Sequence, residues 1–288
     1  MQKKIKKFIP RVIGWRLNML YKVQPEMALQ SLYKLSCEPR KGRLQKEDLP
    51  SFLKNADKDY FVFGNDKILV YRWRNSGKKI LLIHGWESNS KRWEEVVNRL
   101  HSLGYELIAF DAPAHGLSSG KELHVPMFAQ CIKAIQNKYQ TDIAIGHSAG
   151  AMSLVYHAYA FRDDIGFEKL VLLGAPSEMT KIINDMAHVL RLKEKVVQDL
   201  DHFFKQKFGF YFEEFSIARF AKSLETPTLV IHDQYDRVAP VDAAYSISKN
   251  LKNGELIITE GQGHSLNKAS VINHYVDYIH QQKAKVNE

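Results

Sequence analysis

From residue 60 onward the chain alternates near-continuous apolar runs with segments of helical length, and few architectures accommodate that pattern. The runs are "KILLIHGW" (79–86), "ELIAFDAPAHG" (106–116), "TDIAIGHS" (141–148), "KLVLLGAPS" (169–177), "PTLVIHDQYD" (227–236) and "ELIITEGQGHS" (255–265). Apolar residues without polar alternation mark strands covered on both faces, as in a parallel sheet. Helix-length segments at about 90–103, 124–138, 148–162, 241–252 and 267–282 separate them. Strand-helix repetition implies right-handed crossovers, with helices on both faces of a mostly parallel twisted sheet, an α/β class. An earlier stretch, "YFVFGNDKILVYRW" (60–73), reads as a hairpin turning at Gly64-Asn65-Asp66 and supplies an antiparallel edge.

One crossover is too long. Between the run ending near Gly174 and the one starting near Pro227, the stretch from Met179 to Leu224 alone holds about 45 residues, well beyond one connecting helix. The stretch 179–224 is therefore expected to be a helical cap insertion. It carries the dense aromatic tract "FFKQKFGFYFEEF" (203–215). The predicted organisation is a basic amphipathic helical segment over 1–47, then one domain over 48–288 that contains the cap.

Ligands in open sheets of this kind bind beyond the carboxyl ends of the strands, so the residues just after each run carry the chemistry. Gly146-His147-Ser148-Ala149-Gly150 follows the run "DIAIG" and precedes the helix-compatible "AGAMSLVYHAYA". A serine on so sharp a strand-to-helix turn needs glycine at 146 and 150, because a Cβ at either place would clash. The turn also sets Ser148 at a helix N-terminus, where backbone amides favour developing negative charge. A serine hydroxyl is a weak nucleophile and needs a base with an orienting acid. "VIHDQYDRVAP" offers Asp233 and Asp236, and "GQGHSL" offers His264, in the order serine, acid, histidine.

"HGW", "DAPAHGLS", "GHSAG", "DQYDRVAP" and "GQGHS", closing the third, fourth, fifth, seventh and eighth strands, resemble the marks of the α/β-hydrolase family over nearly all of residues 60–282. The resemblance implies that fold, a serine hydrolase activity of the esterase, lipase or thioesterase kind, and no cofactor or metal. It favours Asp236, four residues before Pro240, as the acid, with Asp233 a turn residue beside it. It assigns the oxyanion donors to the backbone N–H groups of Trp86 and Ala149. Dehalogenase-like and epoxide-hydrolase-like members carry aspartate where this chain has Ser148, which disfavours those activities. Two departures stand out: Ala114 and Asp233 occupy places where many members have glycine. The expected substrate is a small acyl compound, a carboxylic ester or thioester with an apolar acyl group. Carbon–carbon bond hydrolysis, amidase activity and non-catalytic ligand binding are the alternatives.

Other histidines read as structural: His84 as a turn residue, His115 with Asp111 as loop-fixing, His147 as pointing away from the pocket, and His188 and His202 as surface residues of the cap. The net charge of +9 is concentrated, since Met1–Pro25 holds Lys3, Lys4, Lys6, Lys7, Arg11, Arg16 and Lys22 and no acid. A basic tip on a nearly balanced body argues against nucleic acid. Lysines and arginines break that tip as a signal peptide, and no run approaches the roughly 18 apolar residues of a membrane span. Ile5, Phe8, Ile9, Val12 and Ile13 fall at helical spacing, interrupted by Pro10. They predict either peripheral membrane contact or a helix packed on the body. Cys37 and Cys131, far apart and without metal-ligand spacing, suggest a reducing, cytoplasmic setting.

Overall fold

The computed structural model describes residues 2–164 and 166–281, with side chains from residue 9 onward. In chain order the elements are α1 (Gln2–Val23), α2 (Pro25–Cys37), α3 (Ser51–Lys54), β1 (Asp57–Phe63), β2 (Asp66–Trp73) and β3 (Lys79–Ile83). A 3₁₀ turn (Ser90–Trp93) leads into α4 (Glu94–Ser102), β4 (Glu106–Phe110), α5 (Val125–Tyr139), β5 (Ile143–His147), α6 (Ala149–Ala160) and β6 (Lys169–Leu173). Then come α7 (Met179–Leu190), α8 (Glu194–Phe208), α9 (Ile217–Ala221), β7 (Thr228–Asp233), α10 (Asp242–Asn250), β8 (Gly254–Thr259) and α11 (Ala269–His280).

The strands form one eight-stranded sheet in the order β1-β2-β4-β3-β5-β6-β7-β8. β1 and β2 pair antiparallel, β2 runs antiparallel to β4, and every later pairing is parallel. The predicted hairpin is therefore the antiparallel edge. Alternate residues divide between two covered faces. Ile80, Leu82, Leu107, Ala109, Ile143 and Ile145 pack with Val96, Val97 and Leu100 of α4 and with Val271, Ile272 and Tyr275 of α11. On the opposite face Phe110 meets Phe128 of α5, ring centroids 5.9 Å apart. Burial on both faces is why the strands read as unbroken apolar runs.

β4 and β5 lie on opposite sides of β3, so the connections leaving β3 and β5 diverge and open a crevice at their carboxyl ends.

The chain divides into two compact units. One is the sheet with its flanking helices, residues 39–177 and 217–288; the other joins residues 1–38 to 178–216. In the second unit Leu17, Leu29, Leu32 and Tyr33 form a core with Ile183, Leu190, Val196, Leu200, Phe204 and Phe212. Helix α1 runs on through Pro10, although an interior proline removes a backbone hydrogen bond and crowds the carbonyl four residues before it. The side chains of Ile5 and Phe8 lie outside the described residues.

Candidate active site

The turn between β5 and α6 sets Ser148 at φ 52°, ψ −120°, a conformation that non-glycine residues rarely adopt. Its neighbours explain how the turn closes. A Cβ on Gly146 would lie 2.7 Å from the Ala151 Cα, and one on Gly150 would lie 2.4 Å from the His84 carbonyl oxygen. A Cβ on Gly85 would come within 3.0 Å of the Ser148 Cβ, so the β3 loop passes directly beside the serine. Glycine at these places is the condition for bringing the ends of β3 and β5 together at the start of α6.

The loops after β7 and β8 deliver the other two groups. Ser148 Oγ lies 2.9 Å from His264 Nε2, and His264 Nδ1 lies 2.7 Å from Asp236 Oδ2. A carboxylate only accepts, so Nδ1 carries the imidazole hydrogen and Nε2 is left to accept from the serine hydroxyl. The Asp236 side chain is fully buried and that of His264 retains some exposure. Burial alone would raise the Asp236 pKa. The polar N–H edge of His232 close by, with hydrogen bonds from His264 and the amides of Val238 and Ala239, outweighs it and holds the carboxyl well below the usual range.

Asp233 does different work. Its Oδ2 accepts from the Gln262 amide at 2.7 Å and the Thr259 hydroxyl at 3.2 Å, and its Oδ1 accepts from the Tyr235 amide at 3.1 Å. It ties the end of β7 to the loop that carries His264. Burial opposes ionisation here too, and the donated amides override it, so its pKa is lowered.

Two further residues hold the histidine from behind. His147, read as pointing away from the pocket, packs its ring 5.0 Å from that of His264 and donates Nε2–H to the His264 carbonyl at 2.8 Å. The last position of a strand directs its side chain to one face of the sheet, and here that face carries the His264 loop. Arg92 Nη2 donates to the Ser265 carbonyl at 3.0 Å. Sequence reasoning also passed over His232, which is fully buried, donates Nε2–H to the Ala239 carbonyl at 2.7 Å and lies 3.4 Å from Asp236 Oδ2. The one signal available for it was its spacing of four from Asp236.

The loop residues read as structural behave so. His84 Nε2 accepts from the Ala112 amide at 2.9 Å while its Nδ1–H donates to the Gly85 carbonyl at 2.7 Å, clasping the β3 and β4 loops together. His115 accepts from the Glu87 amide and donates to the Pro113 carbonyl. Burial brings both imidazoles down to about 4. Asp111 accepts from the amides of Ser90 and Leu117, each at 2.9 Å. His188 and His202 are exposed.

Ala149 opens α6, so its amide has no preceding helical carbonyl to bond. The Trp86 amide follows Gly85 and donates to no acceptor among the described residues. The Trp86 ring stands edge-on to His115, centroids 5.4 Å apart.

The aromatic tract 203–215 spends most of its rings on packing. Phe203, Phe204 and Phe208 gather around Tyr33 at 6.0–6.2 Å, Phe204 meets Phe212 at 5.0 Å, and Phe210 meets Phe215 at 4.7 Å.

Known proteins carry the same arrangement of elements. A family model described as serine aminopeptidase, S33, matches residues 74–208, and one described as TAP-like protein matches residues 215–288. The chain belongs to the α/β-hydrolase superfamily. It is 26% identical over 230 residues to the AB hydrolase superfamily protein YisY of Bacillus subtilis, covering 65% of this chain and 85% of that one. It is 22% identical over 239 residues to a bifunctional esterase/perhydrolase of Acinetobacter calcoaceticus, with the same two coverages of 65% and 85%. Among solved structures it superposes on MGS-M2, an alpha/beta hydrolase enzyme from a deep-sea metagenome library of the Medee basin. That match has a TM-score of 0.63 at 16% identity and covers 80% of this chain and 100% of that one. Relatives in this superfamily are hydrolases, with esterase-like and peroxidase-like members among them.

Proposed function

We propose that this protein is a serine hydrolase that cleaves a carboxylic ester or thioester through an acyl-enzyme. The reading rests on the unbroken hydrogen-bonded line from Ser148 Oγ through His264 to Asp236. Ser148 Oγ attacks the acyl carbonyl as its proton passes to His264 Nε2, and the buried Asp236 stabilises the imidazolium. The oxyanion is met by the amides of Ala149 and Trp86. Collapse expels the alcohol or thiol, which takes the proton from His264. Water then attacks the acyl carbon with His264 again as base, releasing the acid and restoring Ser148.

A second acceptor fits the same intermediate. The Acinetobacter calcoaceticus relative is named an esterase/perhydrolase, and hydrogen peroxide in place of water would release a peracid from the same acyl-enzyme. The acyl group is proposed to be apolar, with Trp86 beside Gly85 as its first wall, and the setting to be cytoplasmic.

A fluorophosphonate probe is expected to label the wild type and to leave Ser148→Ala and His264→Ala unlabelled. Equal labelling of Ser148→Ala would remove the nucleophile from the proposal. A panel of p-nitrophenyl esters from acetyl upward should show kcat/KM rising with chain length, each buried methylene contributing up to about 0.8 kcal/mol. An aminoacyl p-nitroanilide in the same panel separates esters from amides. A flat ester profile would reject the apolar acyl group while leaving the nucleophile untouched.

A further inference from the structure

Helix α1 has two faces, and its packing determines which one is turned out. Gly14 lies against the backbone of α7, where an added Cβ would fall 1.6 Å from the Leu190 carbonyl oxygen. Asn18 fixes the rotation: its Nδ2 donates to the Arg191 carbonyl at 2.9 Å and its Oδ1 accepts from the Lys193 amide at 3.0 Å. Leu17 is buried in the core of this unit.

The opposite face is left apolar. Val12 is 39% exposed, Trp15 63%, Met19 45% and Val23 78%, at positions i, i+3, i+7 and i+11, and Ile9 extends the stripe. Arg11, Arg16 and Lys22 are exposed alongside it. A surface helix ordinarily turns polar residues to water and apolar ones to the core. Here both faces are apolar and the outer one is edged with cations.

We propose that the outer face of α1 docks on an anionic lipid bilayer. Three features select that occupant. Trp15 stands in the stripe, and indole rings favour the headgroup level of a membrane. The cations have long stems that lie along apolar surface while the charge reaches the phosphates. Between Met1 and Pro25 there is no acidic residue to repel an anionic surface or to pair with a second copy of the same helix. Between Arg11 and the end of α7, a cleft of about 590 Å³ sets Arg11 and Arg191 next to Val189 and Leu192, the combination that a phosphate headgroup and its first methylenes require. No helix among the described residues is long and apolar enough to cross a membrane, so the contact is peripheral. Nucleic acid would use the cations and gain nothing from Val12, Trp15 and Met19.

Co-sedimentation of the full chain with vesicles tests this directly. We expect binding to vesicles of mixed phosphatidylcholine and phosphatidylserine, little binding to phosphatidylcholine alone, and release as salt rises. The triple variant Arg11→Glu/Arg16→Glu/Lys22→Glu should abolish binding, since each cation alone is worth about fivefold in partitioning. Trp15→Glu/Met19→Glu should abolish it too, with circular dichroism and fluorophosphonate labelling unchanged because these side chains lie on the surface. A blue shift of tryptophan emission on mixed vesicles, absent in Trp15→Phe, would place the ring in the headgroup layer. The proposal is overturned if wild type and Trp15→Glu/Met19→Glu bind vesicles alike or not at all. It is equally overturned if the stripe variants dissolve a dimer seen by sedimentation velocity, or if a DNA or RNA oligonucleotide is retained in preference to vesicles.

Discussion

Asp236 and Asp233 are three residues apart, both buried, both accepting several hydrogen bonds, and the difference between them is what each bond holds. Asp236 receives the imidazole hydrogen of His264, whereas Asp233 receives amides that shape the loop around it. Asp236→Asn presents a donor to Nδ1 and favours the wrong tautomer, which costs on the order of 10⁴ in kcat in the serine protease case. Asp233→Asn is expected to lower kcat mildly and to cost about 1–3 kcal/mol of stability. Steady-state rates and urea midpoints on both variants check the ranking, and the reverse order would move the orienting role to Asp233. A second contrast sits in the β4 loop, where Ala114 has φ 64° and Gly116 φ 49°. A Cβ on Gly116 would fall 2.0 Å from the Asp111 Cγ, so Gly116→Ala should unfold the loop or the protein. Ala114→Gly relieves a left-handed alanine at the expense of chain entropy, and its melting temperature should stay within a few degrees of wild type.

Elements meet at glycines in this fold, and the contact between α1 and α7 is the tightest of those described. Because the atom opposite Gly14 is backbone, no rotamer change can make room. Gly14→Ala should therefore force α1 away from α7 and cost about 1–3 kcal/mol, as overpacking does elsewhere. The expected readout is a lowered melting temperature with faster proteolysis near residues 1–38, while fluorophosphonate labelling of Ser148 persists. An unchanged melting temperature would mean that α1 shifts without loss. The sheet elements follow simpler logic: β3 and β5 diverge in their connections, and the serine stands where they part.

For the molecule as a whole, pH is the most informative variable. His84, His115 and His157 are buried and held near 4, against about 6.5 in an unfolded chain. Below 6.5 the unfolded state binds protons that the folded state refuses, so their contribution is complete above 6.5 and is lost as pH falls toward 4. Each full proton of difference steepens the loss by about 1.4 kcal/mol per pH unit. Asp236 and Asp233, with lowered pKa values, extend the loss below 3.8, while Asp111, raised by burial, acts in the opposite sense. Urea unfolding at pH 7.5, 6.5, 5.5 and 4.5 should show a plateau at the upper end and a progressive fall beneath it. Stability that is flat down to pH 4.5 would mean that these imidazoles are protonated inside the fold.

Much of this protein is decided by local chemistry. Unbroken apolar runs of strand length between helix-length segments pointed to strands covered on both faces, and glycines at 146 and 150 between such a run and a helix pointed to a turn too crowded for a Cβ, so the class, the strand order along the chain and the place of Ser148 were legible in one dimension. Asp236 and His264 were legible in their order and not in their meeting, which needs two loops to converge over the crevice beside β3. The roles of His147 and Arg92 were illegible, and that of His232 was hinted at only by its spacing from Asp236, since each acts on a carbonyl or carboxylate that packing brings near. The same holds for α1. Its spacing announced an amphipathic helix, but which apolar residues face the core follows from one contact, Gly14 on the α7 backbone. That contact turns Leu17 inward and leaves Trp15 in water.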